Sequence, residues 1–255
     1  MIRIARTPEP AALTPVRVEE LVKAREARAV GGQTDFKGYE VVKNALARMQ
    51  HNKCCYCEKR EEQAKYRDVE HYRPKAIYWW LAWTWENLLF SCIDCNREQK
   101  RSQFPLEDGS LRLDPEEPPP GNERPLVLDP SDPIIDPIEE IRFRHERVQG
   151  RERWVPRGLT PRGQKTIEVC GLDRSSLLDL YGFHVEECVR PTIQPFVDSC
   201  RAASTSDTPA AWEKATRSLL APDRPFRALS RDALEVLVSP ELRKQYRIIL
   251  PRPQP

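Results

Sequence analysis

Cys54-Cys55-Tyr56-Cys57 and Cys92-Ile93-Asp94-Cys95 each supply a C-x-x-C pair, and the 34 residues between Cys57 and Cys92 decide how the chain folds. Two-residue spacing lets both sulfurs of a pair turn toward one ion. Two such pairs complete a tetrahedral thiolate site of the kind Zn²⁺ takes. Cys55 is out of phase with Cys57, so the expected ligands are Cys54, Cys57, Cys92 and Cys95. A site closed by four thiolates holds structure rather than performing chemistry. The chain has eight cysteines, five of them between positions 54 and 95. In an intracellular protein that clustering points to metal ligation and not to disulfides. Cys170, Cys188 and Cys200 fall on apolar helical faces, where core packing is expected.

Inside this frame stand Val69-Glu70-His71-Tyr72-Arg73-Pro74-Lys75 and Trp85-Glu86-Asn87-Leu88-Leu89. Asn96-Arg97-Glu98-Gln99-Lys100 follows the second pair directly, and Phe104-Pro105-Leu106 comes soon after. Asn87 lies sixteen residues after His71, and Asn96 nine beyond that. An acidic-His pair followed by two asparagines in a cysteine frame resembles the HNH endonuclease motif. The pattern is most similar to the PtuB-like HNH subunit of Septu-type and retron-associated anti-phage systems. The likeness is close from Cys54 to Leu106 and looser over the basic segment and Thr160–Leu172.

The resemblance implies an α+β protein with a ββα-metal HNH core, a four-cysteine zinc knuckle, mainly α-helical flanks and a β-hairpin. It implies hydrolysis of phosphodiester bonds in DNA, leaving 5′-phosphate and 3′-hydroxyl ends, in antiviral defence with an ABC/SMC-like, PtuA-like ATPase partner. No Walker-type phosphate loop is present in the sequence, so ATP dependence would come from that partner. Two other readings fit less of the pattern. One is a stand-alone restriction-like or housekeeping HNH nuclease, and the other a non-catalytic zinc-knuckle module that binds nucleic acid.

The residue types suit the chemistry on their own terms. Phosphodiester hydrolysis needs a base to deprotonate water and a cation to neutralise the developing charge. His71 is the natural base, because its unperturbed pKa lies near working pH. Glu70 alternates with it along a strand, so the two side chains face opposite ways unless the strand is distorted. The family fold implies that Glu70 and Asn96 nonetheless converge on a catalytic divalent ion. Their oxygen donors suit Mg²⁺ or Mn²⁺. Asn87 is expected to tie down the loop that orients His71, through side-chain to backbone hydrogen bonds. Lys75 and Lys100 are candidate phosphate contacts. The aromatic run from Tyr78 to Trp85 is suited to base stacking, but core packing is the stronger expectation for so small a ββα unit.

Working outward, residues 1–50 form an N-terminal helical segment, with helices over 16–30 and 38–50. Residues 51–112 make the nuclease core with its knuckle, and 113–255 the remainder. From Glu107 to Glu140 eleven acidic residues face two basic ones, in a proline-rich stretch that reads as an extended connection over the surface. Leu126, Val127, Leu128, Ile134 and Ile135 are its expected anchors. From Arg142 to Lys165 the balance reverses, with eight Lys or Arg against Glu146 and Glu152. Residues 141–155 alternate as a hairpin about Gln149-Gly150. Its arginines, Arg144 and Arg153 among them, either track DNA phosphates, form a solvated strand face, or pair with the acidic stretch. Beyond it, Thr160-Pro161 and Gly171 bound one helix, and Asp173 or Ser175 opens the next, with Leu177, Leu178, Tyr181, Val185, Cys188 and Val189 on one face. Thr208-Pro209, Ser230 and Ser239-Pro240 open three more. Net charge is +2, which by itself selects no polyanionic partner. No apolar run reaches the roughly 18 residues of a membrane span and no secretory leader is visible, so a cytoplasmic location is expected.

Overall fold

A computed structural model describes residues 1–202 and 207–253. Helix α1 (Leu13–Ala29) is followed by a tight turn over Tyr39–Val42 and by α2 (Lys43–Met49). The single helix expected over 38–50 is therefore split. Gly38 precedes both pieces: its φ of +84° is left-handed, and a Cβ there would stand 2.7 Å from Val16 Cγ1. Only glycine lets the chain turn that close to α1, and the turn aims Tyr39 at the later strands.

Strands β1 (Arg67–His71) and β2 (Leu88–Cys92) pair antiparallel, from Arg67 opposite Cys92 to His71 opposite Leu88. A wide-turned helix, Asp94–Lys100, leaves β2 directly. The two-residue offset in each C-x-x-C is thus realised by a strand-to-helix junction on one side and a turn at 54–57 on the other. One face of the hairpin packs on α2, where Val42, Leu46, Val69, Trp85, Leu88 and Phe90 are buried together. The loop between the strands carries Tyr78, Trp79, Trp80, Trp83 and Trp85, all buried. Each large apolar side chain removed from water contributes roughly 1.5–3 kcal/mol, so these rings anchor the loop and are not free to stack on bases.

The acidic connection runs across the surface as expected, with Val127 and Leu128 fully buried as its anchors. Ile134 does not help; it is 90% exposed. After the short helix α3 (Pro137–Glu140), β3 (Ile141–Val148) and β4 (Arg151–Gly158) form the second hairpin. Gln149 and Gly150 both have positive φ, as a tight two-residue turn requires. The described residues beyond it are mainly helical. In α4 (Pro161–Cys170), Thr160 caps the N-terminus by accepting from Gly163 N–H, and Gly171 ends the helix in the left-handed region. Next come α5 (Ser175–His184), α6 (Arg190–Arg201), α7 (Asp207–Leu219), α8 (Arg227–Leu237) and α9 (Pro240–Gln245), the last capped by Ser239.

Two sequence expectations fail here for local reasons. Cys188 is exposed, not buried. Residues 185–189 form a wide π turn, which shifts the helical phase so that Val189 takes the inward place after Val185. Ser230 lies inside the first turns of α8 and does not begin it. The helix starts three residues earlier, behind Phe226 in left-handed geometry, and Ser230 instead bonds His184 Nε2 at 2.8 Å. No helix among the described residues is long and apolar enough to cross a membrane.

Candidate functional site

Cys54, Cys57, Cys92 and Cys95 present their sulfurs within 4.8 Å of one another, all buried. Cys55 is not part of the group. Crowding makes it hard for these thiols to ionise together: those of Cys57 and Cys95 are pushed well above the usual cysteine range, chiefly by the Cys54 sulfur beside them. A divalent ion removes that penalty, and soft thiolate donors in this number fit zinc. Arg174, in the turn before α5, reaches Cys95 Sγ at 3.6 Å. A cation beside a thiolate cluster offsets its excess negative charge.

One wall of the knuckle leads to a cleft of about 510 Å³ lined in part by Tyr39, Asp68, Glu70, His71, Lys75 and Asn96. Three of the expected residues stand in it under the same condition. Each has one polar side-chain atom anchored and the other without a hydrogen bond among the described residues. His71 Nε2 is 2.9 Å from the carbonyl oxygen of Ala82. A carbonyl only accepts, so Nε2 carries the proton and Nδ1 keeps a free lone pair. Asn96 Nδ2 donates to Asp68 Oδ2 at 3.0 Å and toward Val69 O at 3.4 Å. Both of those partners are acceptors, which orients the amide and leaves Oδ1 unbonded. Glu70 Oε1 takes both the Tyr56 hydroxyl, at 3.0 Å, and Lys100 Nζ, at 2.6 Å, leaving Oε2.

Burial sets the electrostatics. The His71 imidazole is held down to about 3 by desolvation, then by the charge of Lys75, so it is neutral at ordinary pH. Burial pushes the Glu70 carboxyl up, against the counter-pull of Lys100 and Tyr56. Asn87 bonds to the backbone through both side-chain polar atoms. Its Oδ1 accepts from Arg73 N–H at 2.8 Å, and its Nδ2 donates to Arg73 O and Leu81 O at 3.0 and 3.1 Å. Those bonds close the loop that carries Ala82, and Ala82 holds His71.

A segment of 203 residues, 70% of the chain, is 32% identical to the Septu protein PtuB of Bacillus mycoides (strain KBAB4) and covers 65% of that protein. A shorter segment of 97 residues, 38% of the chain, is 39% identical to the Septu protein PtuB of Bacillus thuringiensis and covers 36% of it. Over these segments the chain is similar to Septu PtuB. It spans less than two thirds of either relative, and no protein-family profile matches it.

The structure corrects one expected phosphate contact. Lys100 has no exposed surface, and its ammonium is spent on Glu70 and on the carbonyl of His71 at 3.0 Å. Lys75 remains in the cleft, bonded to the Tyr39 hydroxyl, 4.2 Å from that ring's centre and without a carboxylate partner among the described residues. The basic hairpin does not pair with the acidic stretch. Arg142 binds Asp232 and Glu235 of α8, Arg153 binds Asp179 of α5 at 2.6 Å, and Arg157 binds Glu146. Arg144 is exposed and has no ion pair among the described residues.

Four residues at these centres escaped the sequence reading. Tyr39 meets the His71 ring edge-on at 4.6 Å. Asp68 holds Asn96 and takes a two-point bond from Arg97 at 2.7 and 2.8 Å. Tyr56 and Arg174 are the others. Only Asp68 left a signal, since it shares a strand face with Glu70 two residues on.

Proposed function

We propose that the PtuB-like chain is a metal-dependent HNH endonuclease that cleaves DNA, acting in the cytoplasm as the nuclease of a Septu anti-phage system. Its core is residues 51–112, flanked by 1–50 and 113–255. The observation that carries this is the set of unbonded acceptors on one cleft: His71 Nδ1, Glu70 Oε2 and Asn96 Oδ1, each presented by an anchored partner atom.

Glu70 Oε2 and Asn96 Oδ1 are hard oxygen donors and would hold Mg²⁺ or Mn²⁺. When bound, that ion supplies Lewis-acid stabilisation of the charge developing on the phosphate and the leaving oxygen. His71, neutral and with Nδ1 open, accepts the proton of the attacking water. The Ala82 carbonyl steadies the imidazolium that results, because the Nε2–H bond strengthens as the ring becomes charged. Asn87 keeps that carbonyl in place. Lys75 lies where it can meet a substrate phosphate, and Arg144 offers a contact farther out. The four-cysteine centre holds zinc and stabilises this arrangement without entering the reaction. Antiviral defence and a PtuA-like ATPase partner follow from the likeness to the two Septu proteins.

The test is plasmid cleavage by the zinc-loaded chain in Mg²⁺, Mn²⁺ or EDTA, with and without the ATPase. Metal-dependent nicking that needs the partner is expected. Nicking by the chain alone would point to a stand-alone nuclease. Binding without cleavage under every condition would reduce it to a nucleic-acid module.

A further inference from the structure

The mechanism above leaves two buried polar groups beside the cleft unused, the Tyr56 hydroxyl and the Lys100 ammonium. Tyr56 sits between Cys55 and Cys57 inside the knuckle, and Lys100 ends the helix that carries Cys95. They come from opposite halves of the cysteine frame, yet both end on the same oxygen, Glu70 Oε1, at 3.0 and 2.6 Å. Each is buried, Tyr56 at 1% exposure and Lys100 at none. An ammonium removed from water is costly unless it is paired and fully bonded. Lys100 is paired with Glu70 and donates to the carbonyl of His71.

We propose that Tyr56 and Lys100 are positioning residues that clamp one oxygen of Glu70, so that only the other is offered to the divalent ion. This rests on the reading of Glu70 as a ligand of that ion. A carboxylate with both oxygens free rotates about its last bond and loses entropy on binding. One whose Oε1 is held by two donors is pre-oriented, and hydrogen-bonded ligand carboxylates depend on such partners for affinity. The clamp also couples the two metal centres. Tyr56 lies between Cys55 and Cys57 and Lys100 ends the helix that carries Cys95, so an ion held by the four cysteines would fix the two elements that supply the clamp.

The clamp is tested by titrating Mn²⁺ into the zinc-loaded full chain, following the free-ion electron paramagnetic resonance signal. The variants are Tyr56→Phe, Lys100→Gln and Glu70→Gln, each with its zinc content and melting curve. Tyr56→Phe keeps the ring and removes only the hydroxyl, so it remains informative if Lys100→Gln fails to fold. The clamp predicts full zinc in Tyr56→Phe and Mn²⁺ affinity weakened roughly ten- to a hundredfold, the usual cost of losing an outer partner of a ligand. A merely structural hydroxyl would lower the melting temperature and leave Mn²⁺ affinity unchanged, which overturns the clamp. Wild-type affinity in Glu70→Gln overturns the ligand reading beneath it. Loss in Glu70→Gln with wild-type affinity in the other two overturns the clamp alone.

Discussion

His71 Nε2 donates its proton to the Ala82 carbonyl at 2.9 Å, and that one bond decides which ring nitrogen keeps a free lone pair. Ala82 is eleven residues away in sequence and sits in a loop packed by tryptophans. The tautomer is therefore set by the loop as much as by the strand that carries His71. His71→Ala is expected to lose cleavage while keeping zinc and fold. Asn96→Ala and Glu70→Ala should lose it too, with partial recovery in excess Mn²⁺, because mass action offsets weakened affinity.

Asn87 supports the same loop at one remove. Asn87→Ala leaves the half-buried Arg73 N–H and two carbonyls without their partner, a loss of about 1–3 kcal/mol. Chemical denaturation should show that loss, and single-turnover cleavage should slow in parallel. A destabilised variant that cleaves at the wild-type rate would separate the loop from the chemistry.

The four-cysteine centre behaves differently from the cleft. A structural zinc contributes folding energy outright, so Cys57→Ser or Cys95→Ser should melt at lower temperature or fail to fold. A soluble, zinc-free Cys95→Ser chain with an unchanged melting curve would remove the metal from the account.

The arginines of the second hairpin now divide into two kinds. Arg144 is exposed and unpaired among the described residues, whereas Arg153 holds Asp179 with only 16% of its side chain exposed. If Arg144 meets a phosphate, Arg144→Ala lowers the slope of log affinity against log salt by about 0.9 and leaves melting unchanged. Arg153→Ala should do the reverse. Equal slopes for Arg144→Ala and wild type exclude this surface from DNA.

His184 supplies a pH prediction outside the cleft. It is buried against Ser230 and Phe226, and burial holds its pKa down to about 4 against an ordinary 6.5. The unfolded chain therefore binds a proton that the folded chain refuses. Stability is whole above pH 6.5 and falls as pH drops toward 4, by at most about 1.4 kcal/mol per unit for this one group. Denaturation at about pH 7 and about pH 5 should show a smaller difference in His184→Gln than in wild type.

What the sequence disclosed and what it hid follow from how far each interaction reaches. The cysteine spacing and the caps at Thr160, Gly171 and Ser239 are local geometry and read directly. Cys188 was misplaced because a π turn shifts helical phase without marking the composition. Sequence left the partners of Arg142 open, because Asp232 and Glu235 arrive from a helix some ninety residues on. Lys100 looked like a surface cation because nothing local reveals that Glu70 and His71 close over it. Tyr39 belongs to a segment outside the cysteine frame, and only the turn at Gly38 brings it to His71.

The most direct measurement is cleavage of plasmid DNA by wild type and by His71→Ala, matched for zinc content and melting temperature, in Mg²⁺ with the ATPase partner present. The account predicts nicking by wild type that EDTA abolishes, and none above background by the variant. Equal cleavage by the two proteins would contradict it.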